Sequence, residues 1–390
     1  MKKQYKLKDI GAFKGGVTSI KPTDYGYGTP FITYKNIFQN PKVDINMLTL
    51  MNVPKKDLQK CSCKYGDIFF TASSEVFEEV AMSSVLLDKG IKNLTFNGFS
   101  KRFRLFDFNT LLPEYAVYYF RSREFRNSIA AITTGDIRFN VSQENLSNIT
   151  ITLPPLSEQK RIANILSSFD NKIEILKKEN KILEDIAENI FKEWFVKYNF
   201  PNKDGKPYRD SNGKMIDSEL GPIPDGWRVG KLGEIVDVTS GKALPKDELK
   251  SDGQYPLLGA NGEIGRTDKY LLNKTVIYTG RVGTLGNVFL YDAPAWYSDN
   301  TLIISPTQSF LYYIFFVLQR QQLEKLDRGS TQPLITQTDL KNILVVIPDN
   351  DILTLFNKTI QGGNDRITMS KRLLKTLDKI KTALLYKLLG

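Results

Sequence analysis

Histidine is absent from all 390 residues. That excludes every mechanism built on an imidazole base or ligand: Ser-His-Asp triads, HNH-type nucleases and histidine zinc sites. Cysteine occurs only at Cys61 and Cys63, a spacing that suits neither a disulfide framework nor a zinc knuckle and fits a reducing cytosol. No apolar run approaches the roughly 20 residues of a membrane span; the longest, 311–318, has the length of a buried strand or helix. The start, Met1-Lys-Lys-Gln-Tyr-Lys, has no apolar region behind it, so it does not read as a secretory signal and a cytoplasmic protein is expected. No Gly-x4-Gly-Lys-Ser/Thr phosphate loop occurs. "LPPL" (153–156) lacks both ends of the Asn/Asp-Pro-Pro-aromatic loop that an amino-methyltransferase uses to hold a flipped base. "DELK" (247–250), with Asp237 upstream, has the acid-x-Lys form of some nucleases, but that triplet is common in a chain with 25% charged residues. "GRVGTLG" (280–286) is spaced as a turn or a close backbone approach, not as a nucleotide cradle.

Positive charge is what the chain has in surplus. Lysine and arginine number 54 against 43 acids, a formal charge of +11. With no enzyme signature beside it, that surplus favours a polyanionic partner, nucleic acid foremost.

The chain also repeats itself. "GDIRFNVSQENLSNITITLP" (135–154) aligns without gaps on "GSTQPLITQTDLKNILVVIP" (329–348) at an offset of 194. Gly135 meets Gly329, Gln143 meets Gln337, Leu146 meets Leu340 and Pro154 meets Pro348. "LKDIGAFKGG" (7–16) matches "LGEIVDVTSG" (232–241) at an offset of 225, pairing Gly16 with Gly241, and "TPFI" (29–32) resembles "YPLL" (255–258). The ends are shared and the middles diverge, which predicts one fold with two specificities. Short runs such as "DIFFTA" (67–72), "TVIYTG" (275–280) and "NILVVIP" (342–348) read as strands. "PEYAVYYFRSREFRNSI" (113–129) and "SFLYYIFFVLQRQQLEKL" (309–326) read as helices in matching places.

Each copy then enters a long helical segment. In the first, residues 155–198, Ile162, Leu166, Phe169, Ile173, Leu176, Asn180, Leu183, Ala187, Ile190 and Trp194 recur at alternating steps of four and three. That is the heptad of a coiled coil, and a lone Asn180 in the seam fixes register. In the second, residues 349–390, the same offset puts Ile360, Ile367, Leu374, Leu377, Leu384 and Leu388 on the seam, with Gly363, Ser370 and Lys381. Gly362-Gly363 is expected to kink or break this helix. From Arg366 to Lys387 it carries seven bases and one acid, whereas the first is balanced, so each is the natural antiparallel partner of the other. A coiled coil between two chains is the alternative. The fold class is α+β: a first mixed α/β domain (1–154), a central helix, a connector (199–227), a second domain (228–348) and a distal helix. The two long helices form an antiparallel coiled coil in a pseudo-twofold repeat. From its composition the connector reads only as a surface link.

The connector, with "LPPLSEQKRIANIL" before it and "LGPIPDGWRVGKLGEI" after it, resembles the specificity (S) subunit of type I restriction–modification systems. "PFITYKNI" (30–37) and "YSDNTL" (297–302) resemble that family's motifs within its variable domains. The resemblance implies two target recognition domains, each reading half of a split DNA site. It implies helices that set the spacing and dock two methyltransferase (modification) subunits, with motor-nuclease (restriction) subunits joining the larger complex. S-adenosylmethionine, ATP and magnesium would belong to those partners, and this chain would catalyse nothing. A coiled-coil adaptor whose domains bind protein, or an enzyme acting alone, are the competing readings.

DNA readers use Lys and Arg on phosphates and Arg, Lys, Asn and Gln on base edges. In the first domain the candidates are Tyr25, Tyr27, Thr33, Lys35, Asn36, Lys101, Arg102, Arg104, Arg138 and Asn140. In the second they are Asn261, Arg266, Arg281, Arg328, Ser330, Thr331 and Gln332. Arg138 and Gln332 lead, because both sit at matching places just before a shared anchor.

Overall fold

The computed structural model describes residues 2–18, 21–135, 138–283, 285–326 and 334–389. The chain divides into two compact units, Met1–Ile175 with Leu373–Gly390, and Leu176–Arg372.

In the first unit, strands Lys3–Lys6 and Thr150–Leu153 pair antiparallel and bring the ends of the domain together. A four-stranded antiparallel sheet has the order Gly11–Gly15, Ser100–Leu105, Ile68–Thr71, Ser83–Val85. A three-stranded sheet places Tyr25–Ile32 between Thr49–Met51, antiparallel, and Thr95–Phe96, parallel. The second unit repeats this plan. Arg228–Lys231 pairs with Leu344–Ile347. The four-stranded order is Val236–Ser240, Thr301–Pro306, Val276–Gly280, Val288–Tyr291. Tyr255–Gly259 lies between Gly262–Thr267, antiparallel, and Trp296–Tyr297, parallel.

The shared sequence anchors have a physical cause. A Cβ on Gly16 would run into the carbonyls of Phe96 and Asn97, and one on Gly241 into those of Tyr297 and Ser298, so only glycine fits either crossing. Gln143 donates to the Phe13 carbonyl at 3.4 Å. Gln337, with its amide turned to satisfy both ends, donates to the matching Val238 carbonyl at 3.0 Å. Ser142 and Thr336 cap the short helices that these glutamines begin, each accepting from a backbone N–H three residues on. Leu146 and Leu340 are fully buried beneath them.

The segment 113–129 is two helices, Pro113–Tyr119 and Arg123–Ala130, because Ser122 turns out of the first and caps the second. Its counterpart is a helix at Leu311–Arg320 followed by a 3-10 turn at Leu323–Leu326. The connector also differs from the expectation. Phe200, Ile223 and Trp227 are buried in the core of the second unit, and Phe200 stacks on Trp227 with ring centroids 5.0 Å apart. A connector of polar composition is therefore built into a domain through three apolar side chains that its turns space apart.

The central helix runs Leu156–Phe191 and the distal helix Asn350–Leu389, unbroken across Gly362-Gly363. Tertiary packing overrides the glycines: Gly363 lies against Leu183, where a Cβ would be 3.7 Å from its Cδ2. In the first unit Ile162 and Leu166 share a core with Leu384, Leu388 and Leu389, so the two helices run antiparallel there. In the second Ala187, Ile190 and Trp194 share a core with Leu353, Phe356 and Ile360. Ion pairs link the helices within each unit: Lys381 to Asp170 at 2.5 Å in the first, Arg366 to Glu179 at 2.9 Å and Lys371 to Glu184 at 3.4 Å in the second. Of the seam positions, Ile173, Leu176, Asn180, Ile367 and Ser370 are buried, and Phe169, Leu183, Leu374 and Leu377 are half-buried. Near its end the central helix departs from the heptad. Phe191 and Phe195 turn inward with Tyr313, Phe316 and Phe356, and Lys192–Val196 widens to a π turn. A wider apolar face is what a helix needs to enter a domain core.

Candidate nucleic-acid interface

A buried carboxylate needs cations around it, and in the first unit Asp67 draws on two candidate readers. Its carboxylate, 1% exposed, receives Arg104 through Nε at 2.6 Å and Nη2 at 2.7 Å. Arg102 lies 4.0 Å from the same carboxylate and, like Arg104, donates to the Ser62 carbonyl. Burial lowers the pKa of Arg102, and the hydrogen bond to Asp67 raises that of Arg104. Both arginines hold the 62–67 segment to the sheet. Asn36 is fully buried, donating to the Asp44 carbonyl at 2.8 Å and accepting from the Asp44 N–H at 3.0 Å. Thr33 caps the helix Tyr34–Gln39. In the second unit Arg266 donates to the carbonyls of Gly253 at 2.7 Å and Gln254 at 2.9 Å and pairs with Glu263 at 2.7 Å. It fastens a loop to its strand. Of these candidates Asn36 and Arg102 are buried, and Arg104 and Arg266, about one third exposed, spend hydrogen bonds on neighbouring backbone and carboxylates.

Other candidates do reach solvent. Tyr25 and Tyr27 are half exposed on a strand whose Gly26 and Gly28 have φ of 96° and 101°. Lys35 and Asn261 are exposed, and Lys101 is half-buried. Asn261 sits in the hairpin between Gly259 and Gly262, where it accepts from Asn287 at 3.0 Å.

Arg138 and Asn140 belong to a closed loop. Thr134 and Asn140 exchange backbone hydrogen bonds of 3.1 and 2.8 Å, and Asn140 Nδ2 donates to the Arg138 carbonyl at 2.8 Å. Gly135, at φ 109°, permits that turn, since a Cβ there would strike the Arg138 carbonyl. Arg138 reaches Ser73 Oγ at 3.3 Å. Arg328, Ser330, Thr331 and Gln332 lie outside the described residues, so the matching loop is seen only from Leu334 onward.

The two units share a three-segment crossing at this place. In the first, Ala72 N–H donates to the Phe99 carbonyl at 2.9 Å, and the Ala72 carbonyl accepts from Val141 at 3.1 Å. In the second, Arg281 N–H donates to the Asn300 carbonyl at 2.9 Å, and the Arg281 carbonyl accepts from Ile335 at 2.9 Å. Identical backbone bonds carry different side chains: Ala72 and Phe99 in one unit, Arg281 and Asn300 in the other. Arg281 is half-buried, with its Nε unpartnered among the described residues. Charge and spacing pass over Phe99; the only signal is an aromatic in "NGFS", where a turn usually carries a small polar residue.

The sequence profile of a family described as the type I restriction modification DNA specificity domain matches residues 2–185 and 224–370. The chain belongs to this family. It is similar to the type I restriction enzyme MjaIX specificity subunit of Methanocaldococcus jannaschii, with 26% identity over 98% of this chain and 91% of that protein. The MjaVIII specificity subunit of the same organism is 28% identical over 70% of this chain and 69% of its own. The crystal structure of a type I restriction–modification S subunit from M. genitalium covers all of this chain and 96% of its own, with a TM-score of 0.65 at 18% identity, a likeness of fold. The two stretches matched by the specificity-domain profile each contain one complete set of the paired sheets described above. Among the described residues no helix is long and apolar enough to cross a membrane, and no cluster of acidic or cysteine side chains is placed to hold a metal.

Proposed function

We propose that this specificity subunit reads a bipartite DNA site, one half with each unit, and that its side chains do so without catalysing a reaction. The observation that carries the reading is the shared crossing. One backbone scaffold is built twice, with buried anchors alike and exposed tips different, as two readers of different half-sites require. Arg138 with Asn140 in the first unit and Arg281 with Asn300 in the second are polar groups at that crossing, and Tyr25, Tyr27, Lys35, Lys101 and Asn261 extend the candidate surface. Lys and Arg there would neutralise phosphates, and Arg and Asn would read base edges.

The two continuous helices are proposed to set the interval between half-sites. At 1.5 Å per residue, helices of 36 and 40 residues are about 54 and 60 Å long. They are also proposed to dock two methyltransferase subunits, to which motor-nuclease subunits add, in the cytoplasm. S-adenosylmethionine, ATP and magnesium would be bound by those partners.

The experiment exchanges residues 228–348 for the same region of a relative and maps the sequence recognised. One half-site should change and the other persist; a change in both halves overturns the two-reader assignment. Binding should also weaken with salt, with a log–log slope of about −0.9 for each phosphate contacted.

A further inference from the structure

The turn Asn97–Ser100 is held from every side. Asn97 donates through its backbone and Nδ2 to the Ile32 carbonyl at 3.1 and 3.2 Å. Ser100 donates through Oγ to Asn97 Oδ1 at 3.1 Å and through its N–H to the Asn97 carbonyl at 3.3 Å. Gly98 is wedged against Val17 and Thr18, where a Cβ would come within 2.7 Å of both. The Phe99 carbonyl is bonded to Ala72. Yet Phe99, on this hydrogen-bonded backbone, is 66% exposed. The matching turn Ser298–Thr301 has the same framework, with Thr301 donating to Ser298 by N–H at 3.0 Å and Oγ1 at 2.7 Å, but it presents Asn300. The fold therefore does not require an aromatic at this tip.

What surrounds the ring points to its ligand. Lys101 follows two residues on, and on the neighbouring strand Gly15 faces Lys101, with Lys14 beside it. The Arg138 loop is one backbone segment away, through Ala72 and Ser73. A solvent-facing aromatic on a hydrogen-bonded turn, with Lys101 two residues on and the Arg138 loop on an adjoining backbone segment, matches a duplex, whose phosphates would meet Lys101 and Arg138 while the ring reaches a base step. Apolar side chains that enter DNA grooves unstack a step in this way.

We propose that Phe99 is a DNA-contacting residue of the first unit, an aromatic wedge that enters a base step of the half-site read by that unit. This rests on the reading of the first unit as a DNA reader. It adds a mode of recognition that depends on how readily a step unstacks, with pyrimidine–purine steps the softest. The second unit, with Asn300 and Arg281 at the same crossing, relies on hydrogen bonds instead.

The test uses the full-length chain assembled with its methyltransferase subunits, and duplexes selected by that assembly from a random pool. Phe99→Ala and Phe99→Asn, the latter copying the second unit, should weaken binding to the selected duplex roughly 10- to 100-fold. The salt slope should stay unchanged. Phe106→Ala is the control, since Phe106 is 67% exposed just past the opposite end of the strand Ser100–Leu105 that follows Phe99, and should leave affinity unaltered. With 2-aminopurine placed at successive steps of the first half-site, wild type should raise fluorescence at one step and Phe99→Asn at none. If the wild-type assembly selects no sequence, the DNA-reading assignment falls and this one with it. If a site is selected but Phe99→Ala binds it within twofold of wild type, only the wedge is overturned.

Discussion

Replacing Gly362 and Gly363 by alanine should stabilise the protein. Both lie in the interior of the distal helix, and neither has a positive φ. A Cβ on Gly362 would meet nothing within 4 Å, and one on Gly363 would make ordinary contact with Leu183 at 3.7 Å. Glycine in a helix interior costs about 0.8–1.0 kcal/mol against alanine, largely through the entropy of the unfolded chain. The double variant should therefore gain about 2 kcal/mol in the unit Leu176–Arg372. For a unit of that size this corresponds to a Tm increase of about 4–8 °C by calorimetry. In urea the midpoint should rise with the slope unchanged. A lower Tm would mean that the glycines hold a bend or close approach absent from a continuous helix. No change would mean that the helix is frayed there in solution.

Other perturbations separate anchors from readers. Asp67→Ala should cost about 3–5 kcal/mol in urea unfolding, because it leaves Arg102 buried without its carboxylate. Gly16→Ala and Gly241→Ala should each open their own unit to limited proteolysis, since a Cβ at either place collides with two backbone carbonyls. Asn180→Leu should raise stability by about 1–2 kcal/mol, because the Asn180 side chain is buried with Oδ1 unpartnered among the described residues. It should also loosen register, visible as broadened distance distributions between spin labels on the two helices. Burial raises the pKa of both cysteines, that of Cys63 well above the free thiol. Thiol titration of the native protein at pH 8 should therefore be slow and become fast on unfolding; a prompt reaction of Cys61, which is 1% exposed, would contradict its burial.

Where periodicity and repetition carried information, the sequence was readable. The heptad from Ile162 to Trp194 lies along buried and half-buried positions, because a seam is a local property of spacing. Gly16 and Gly241 stood out as matched residues before their carbonyl neighbours were visible. The side-chain roles of charged residues were not readable in this way. Arg102 and Arg104 in "SKRFR" look like phosphate contacts until Asp67 and Ser62, some 40 residues earlier, are seen beside them. Arg266 has the same history with Gly253 and Gln254. Phe191 and Phe195 escaped the heptad because the helix changes its buried face on reaching the second core. The connector's place in that core depends on three apolar side chains that its polar composition hides.

The central claim is that two versions of one scaffold read two separate parts of a duplex. The most direct test maps the DNA bound by the full chain assembled with its methyltransferase subunits. The expected map has two specified blocks separated by an unspecified interval of constant length. A single uninterrupted block, or two blocks whose interval varies freely, would contradict it.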